Sequence, residues 1–187
     1  AGFDATSNVL AARMFGIPAA GTMAHSFVQV FEDEKAAFEA YARNFPDRTI
    51  LLIDTYDTLQ GASLAVEVAR KMAAAGHALV GVRLDSGDLV ALSRQVRAIF
   101  DNAGMPEVKI FASSGLDEYG VERIVQSGAP VDAFGVGTKV GVSADLPYLD
   151  MVYKLVRYDG RDVRKLSPGK QTLAGEKQLF RRMDEKG

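Results

Sequence analysis

The chain has 187 residues, a net charge of −2 and no cysteine. Mixed, near-neutral charge gives no basis for bulk nucleic-acid binding, and the absence of thiols removes disulfides and thiolate metal sites. No apolar run reaches the ~20 residues of a membrane helix, so one domain with a sizeable core and a cytoplasmic location is the expectation.

In chain order, Thr6 or Ser7 is placed to cap a first helix through 8–15, which Gly16 and Pro18 stop. Residues 17–21 read as a first strand, running into Thr22-Met23-Ala24-His25-Ser26. A short helix is predicted over 24–31. A second follows over 33–44, with Ala36, Ala37, Ala40 and Tyr41 inward and Glu34, Lys35, Glu39 and Arg43 outward. The second strand, 50–53, ends in Asp54-Thr55-Tyr56-Asp57. The clearest helix is 59–75, where Leu64, Val68 and Met72 recur every fourth residue and Gly76 ends the pattern. The third strand, 78–82, runs into Arg83-Leu84-Asp85-Ser86-Gly87-Asp88, and a helix over 89–102 follows with Leu92, Val96 and Ile99 inward. The fourth, 108–111, ends in Ala112-Ser113-Ser114-Gly115-Leu116-Asp117 before a helix over 117–126. The fifth, 131–134, ends in Gly135-Val136-Gly137-Thr138. Beyond 141 the character changes. Residues 151–156 read as a strand, Asp159-Gly160 as a tight turn, and 161–166 as the hairpin partner. The remainder is loop-rich, basic and then charged.

The strands are near-continuous apolar runs, as parallel strands covered on both faces require. Parallel βα units bring all their strand C-termini to one rim, where α/β barrels build their sites. The expected fold is therefore α/β: a partial (β/α) TIM-like barrel with active-site loops over 1–141, plus a small C-terminal β/loop appendage over 142–187. A closed eight-stranded barrel takes about 250 residues. With five units legible, the sequence is expected to be a piece of a longer protein that lacks its N-terminal part.

The strand ends carry the candidate chemistry. His25 follows the first strand and fits either a nucleophile or phosphate ligand, or a helix-start residue. His77 lies in a helix-to-strand turn on the opposite rim and reads as structural. Asp54 and Asp57 flank a phenol, and one of them can fix an imidazole tautomer; helix capping by Asp57 is the alternative. Strand alternation puts Arg83 and Asp85 on one face, opposite Leu84. The guanidinium is a planar fork for phosphate or carboxylate, and the aspartate can accept from vicinal hydroxyls; an internal ion pair is the competing role. Ser113-Ser114-Gly115 and Gly135-Val136-Gly137-Thr138 are small-residue loops whose N–H groups can approach phosphate, or ordinary turns.

Taken together, the ordered motifs resemble the nicotinate phosphoribosyltransferase family. Those that carry the likeness are Phe3-Asp4-Ala5-Thr6-Ser7-Asn8, Gly21-Thr22-Met23-Ala24-His25-Ser26, Ile53-Asp54-Thr55-Tyr56-Asp57-Thr58, Arg83-Leu84-Asp85-Ser86-Gly87-Asp88-Leu89, Ser113-Ser114-Gly115-Leu116-Asp117-Glu118, Phe134-Gly135-Val136-Gly137-Thr138 and Lys165-Leu166-Ser167-Pro168-Gly169-Lys170. The resemblance implies that nicotinate and phosphoribosyl pyrophosphate give nicotinate mononucleotide and pyrophosphate. It also implies coupled ATP hydrolysis, Mg²⁺, a homodimer, and no nucleic-acid or membrane partner. It assigns His25 to phosphorylation by ATP, Asp57 to orienting His25, Arg83 to the pyridine ring and its carboxylate, and Asp85 to the ribose hydroxyls. Ser114, Gly115, Gly137 and Thr138 are assigned to the 5′-phosphate. Ser7 stands where nicotinamide-using relatives carry an aspartate, and its hydroxyl suits an acid better. The alternative is a catalytically inactive phosphate- or nucleotide-binding fragment of the same fold.

Overall fold

The computed structural model describes residues 2–142, 148, 149 and 151–183. Its centre is a four-stranded parallel sheet of β1 (Ile50–Leu52), β2 (Gly81–Leu84), β3 (Lys109–Ala112) and β4 (Ala133–Phe134). The strands lie side by side in chain order, with Leu51 opposite Val82, Val82 opposite Ile110 and Ala112 opposite Phe134. Within the described residues this sheet is open, with β1 and β4 at its edges.

The helices comprise α1 (Val9–Phe15), α2 (His25–Gln29), α3 (Glu34–Asn44), α4 (Thr58–Ala74), α5 (Leu89–Asn102), α6 (Glu118–Gln126) and α7 (Thr138–Gly141). Aspartates start four of them: Asp33, Asp57, Asp88 and Asp117 each accept from backbone N–H groups of the first turn. Such a cap is worth about 1 kcal/mol. Asn8 caps α1 through the Ala11 N–H, displacing the expected Thr6 or Ser7; Thr6 instead accepts from the Asn8 N–H. Gly16, with φ 64°, ends α1.

Small residues let α4 lie on the sheet. Gly61, Ala62, Ala65 and Ala69 are buried, and a Cβ on Gly61 would stand 2.2 Å from the Ile53 carbonyl oxygen. On α5 the buried stripe is Leu89, Ser93, Val96 and Phe100, one position away from the predicted Leu92 and Ile99, which are half-buried. On α3, Glu34 is buried together with Ala37 and Phe38, although its charge predicted an outward place.

Two predicted strands are corrected. Residues 17–21 form no strand of the sheet: Ala19 makes one isolated parallel bridge to Thr6, sealed by Thr6 N–H to Pro18 O and Ala20 N–H to Thr6 O. Residues 151–156 form no strand, although the Val156 carbonyl accepts from the Val163 and Gly175 N–H groups, and Met151, Val152 and Tyr153 are exposed. The hairpin is shorter and later: β5 (Arg157–Tyr158) pairs with β6 (Arg161–Asp162) around Asp159 and Gly160, both at positive φ. That is the geometry a two-residue turn of this kind demands.

Candidate functional site

The C-terminal ends of β1, β2 and β3 meet on one rim, and α2 sets His25 against it at the first helical position. The chain after β6 returns to the same rim. There the Leu166 N–H donates to the Thr55 carbonyl at 2.9 Å, and the buried Ser167 hydroxyl donates to the Asp54 carbonyl. The turn over 165–170 therefore carries Lys165 and Lys170 to residues far earlier in the sequence.

His25 is largely buried, with 14% of its side chain exposed. Its Nδ1 lies 3.0 Å from Thr55 Oγ1. Its Nε2 lies 2.7 Å from Lys165 Nζ, 3.4 Å from Asp85 Oδ2 and 3.9 Å from Asp54 Oδ1. An ammonium can only donate, and the lysine is the nearest of the three groups. Nε2 is thus an acceptor, and the ring proton sits on Nδ1, donating to Thr55.

Beneath the imidazole, Asp54 is fully buried. Its Oδ2 accepts from the Asp85 N–H at 3.1 Å and from the Ser86 hydroxyl, while Oδ1 is buried without a hydrogen-bond partner among the described residues. Asp85 is the hub. Ser113 Oγ donates to Oδ1 at 2.7 Å, Lys170 Nζ reaches Oδ2 at 3.2 Å, and Lys165 Nζ is 3.9 Å away. Burial opposes its charge most strongly, but contacts with His25 and Ser113 and the Lys170 and Arg83 charges outweigh that. The carboxyl is held well below the usual carboxylate range. Lys165, with only 3% of its side chain exposed, is pushed down to about 8 by burial, against the pull of Asp54 and Asp85. It remains mostly an ammonium at pH 7.

Arg83 is half-buried on β2, one face away from the buried Leu84, as alternation predicted. Its Nη1 donates to Thr22 Oγ1, and its buried Nε has no partner among the described residues. The loops after β3 and β4 abut: a Cβ on Gly135 would meet Ser113 Cβ at 3.3 Å. Ser114 has φ 118° and Gly115 φ 56°. A serine in that region is strained, a feature that clusters where loops clamp ligands. Gly137 and Thr138 open the single turn of α7, and Lys139 Nζ lies 3.8 Å from Asp117 Oδ2, tying the two loops together.

The structure brings His25, Arg83 and Asp85 together with Ser113 and the loop that holds Ser114 and Gly115. It does not bring Asp57 to His25: the Asp57 carboxylate accepts from the Gln60 N–H at 2.8 Å and serves as the α4 cap. Thr55 and Lys165 bond the ring instead, with Asp85 and Asp54 facing the same Nε2 edge. Ser7 is exposed at the head of α1. Sequence reasoning gave no role to Thr55, Lys165 or Lys170. The one signal available was the Lys165–Lys170 motif, a leucine among five polar and turn-forming residues in an otherwise unpatterned tail.

Nothing among the described residues groups three His, Asp or Glu side chains as a metal site. Asp85 is already faced by two lysines, and Asp54 is sealed by Ser86 and the Asp85 N–H. These residues do not fit a protein-held Mg²⁺.

The chain is a parallel α/β protein with a cation-flanked histidine and carboxylates gathered on one rim of its sheet. The chain belongs to the nicotinate phosphoribosyltransferase (NAPRTase) family, whose sequence model matches residues 2–175. It is 53% identical over 184 residues to the nicotinate phosphoribosyltransferase pncB2 of Mycobacterium tuberculosis, covering 98% of this chain and 39% of the relative. It is 44% identical to the nicotinate phosphoribosyltransferase of Bacillus subtilis, covering 96% of this chain and 38% of that one. The crystal structure of human nicotinic acid phosphoribosyltransferase superposes with a TM-score of 0.66 at 32% identity, over 72% of this chain and 38% of that chain. The chain thus spans about two fifths of the length of these relatives.

Proposed function

We propose that the full protein carrying this segment is a nicotinate phosphoribosyltransferase. It joins nicotinate to phosphoribosyl pyrophosphate, giving nicotinate mononucleotide and pyrophosphate for NAD biosynthesis, with ATP hydrolysis coupled to the reaction. The supporting observation is the histidine itself: His25 is largely buried, oriented by Thr55, and set between an ammonium and two carboxylates at the strand ends. Family membership supplies the substrates.

In this reading the γ-phosphoryl of ATP passes to a ring nitrogen of His25. The bond from phosphorus to the bridging oxygen breaks, and ADP leaves with its electron pair. Lys165 and Lys170 offset the arriving negative charge. The nicotinate nitrogen then bonds C1′ of the ribose as the C1′–oxygen bond breaks and pyrophosphate departs with that pair. The developing positive charge at C1′ and negative charge on the diphosphate meet fixed groups of opposite sign, the largest source of rate in such sites. Asp85 is placed to accept from the ribose hydroxyls. The unpartnered Arg83 Nε–H suits the pyridine carboxylate, and Ser114, Gly115, Gly137 and Thr138 suit the 5′-phosphate. Water finally takes the phosphoryl from His25 as inorganic phosphate. Mg²⁺ enters as the counter-ion that substrate phosphates carry with them. A TIM-like barrel closed by the rest of the chain, a homodimer and a cytoplasmic location complete the proposal.

The test is incubation of the full-length protein with γ-labelled ATP and Mg²⁺, with His25→Ala as control. Acid-labile label on the wild type alone, discharged by nicotinate with phosphoribosyl pyrophosphate, supports the reading. Absence of label on a folded, substrate-binding protein refutes it.

A further inference from the structure

Lys165 reaches His25 from 140 positions further along the chain, with a side chain that is almost wholly buried. Its stem is buried, and its ammonium points at the ring edge that two carboxylates also face. Three elements converge on that edge: Asp54 after β1, Asp85 after β2, and the 165–170 turn with Lys170 beside it. The two states of the edge have opposite preferences. With an ammonium at 2.7 Å, Nε2 must accept. With only Asp85 Oδ2 at 3.4 Å and Asp54 Oδ1 at 3.9 Å, Nε2 must carry a proton, because carboxylates only accept. Among the described residues Asp54 Oδ1 has no other partner to satisfy it.

We infer that Lys165 is a positioning residue that sets the tautomer of His25. Its ammonium holds the Nδ1–H form, and a phosphate-bearing ligand that engages the ammonium hands the Nε2 edge to Asp85 and Asp54. One proton then leaves Nδ1 to solvent and one is taken up at Nε2, so the ring stays neutral and its two nitrogens exchange roles. A diphosphate carries several negative charges against one on each carboxylate, and this is what competes the lysine away. Ligand binding therefore decides which nitrogen of His25 presents a lone pair. The inference rests on the reading of this rim as a phosphate-binding site.

The experiment uses the full-length protein with selectively ¹⁵N-labelled histidine, the His25 resonances being assigned by their loss in His25→Gln. The ¹⁵N shifts report which ring nitrogen is protonated. The expected result is unprotonated Nε2 in the wild type, protonated Nε2 in Lys165→Met, and the same move in the wild type when inorganic pyrophosphate is added. The pyrophosphate titration requires no substitution at Lys165, so poor folding of that variant does not block the test. Protonated Nε2 in the unliganded wild type overturns the inference, as does a wild-type ring that ignores saturating pyrophosphate. Phosphorylation by ATP is read separately. Label on His25 with an unmoved tautomer removes the role of Lys165 and leaves the enzyme reading standing. A moved tautomer without label does the reverse.

Discussion

Replacing Glu34 by glutamine should make the protein's stability far less sensitive to pH between 5 and 8. Glu34 opens α3 but is buried, and its Oε1 has no hydrogen-bond partner among the described residues. Burial first, then the Asp54 and Asp57 charges, push its carboxyl from 4.5 up to about 8. The folded state therefore keeps a proton that the unfolded chain releases near pH 4.5. For a raised pKa, the stabilising contribution is complete below the unfolded value and is lost as pH rises through the folded one. Each pH unit in that window costs about 1.4 kcal/mol, so the interval from pH 5 to pH 7 costs roughly 2–3 kcal/mol. Glutamine has no proton to lose. Urea unfolding of the full-length wild type and Glu34→Gln at pH 5, 6, 7 and 8 reads the difference directly, since other titrating groups cancel between the two. The gap should move in favour of the variant by about 2–3 kcal/mol from pH 5 to pH 7. A gap constant within ~0.5 kcal/mol, the usual size of a neutral surface change, would show that Glu34 is ionised in the folded protein and refute the argument.

Three further outcomes follow from the geometry. Gly61→Ala sets a methyl group against the Ile53 carbonyl oxygen, and overpacking of this kind costs about 1–3 kcal/mol or more, seen as a lower melting temperature. Asp57→Ala removes the α4 cap and should cost about 1 kcal/mol in chemical denaturation, with Asp57→Asn recovering most of it; equal losses for both would remove the capping role. Asp85→Asn takes away the charge that organises Lys165 and Lys170, and kcat/KM should fall by at least ~100-fold, the scale of losing one preorganised electrostatic group; an unchanged value would remove Asp85 from the site.

What could be read from the sequence depended on how local its cause was. The helix over 89–102 has its determinants within reach of one another: Asp88 at the cap, an apolar period, and Gly104 beyond the end. It forms as predicted. The strands 17–21 and 151–156 failed because an apolar run needs a neighbour. The first finds only Thr6, and the second leaves Met151, Val152 and Tyr153 exposed. Glu34 was placed outward on charge alone, since nothing in α3 itself announces that the helix start is covered. Arg83 and Asp85 stand at the end of β2, where topology converges, whereas His25 reaches the same rim from the start of α2 and not from the strand that was expected before it. Asp57 was misassigned because capping and orienting carboxylates look alike in a motif. Thr55, Lys165 and Lys170 act only through tertiary placement, which no local pattern encodes.

The return of 165–170 to the rim also bears on how the protein comes into being. Lys165 meets His25 across 140 positions of chain, and Lys170 meets Asp85 across 85. The sheet and its helices are complete by α7, so a nascent chain holds its core long before its histidine has a counter-charge. Domains fold as they emerge during synthesis. A nascent chain that has reached α7 but not Lys165 therefore has its four described strands in place while His25 and Asp85 still lack their lysine neighbours.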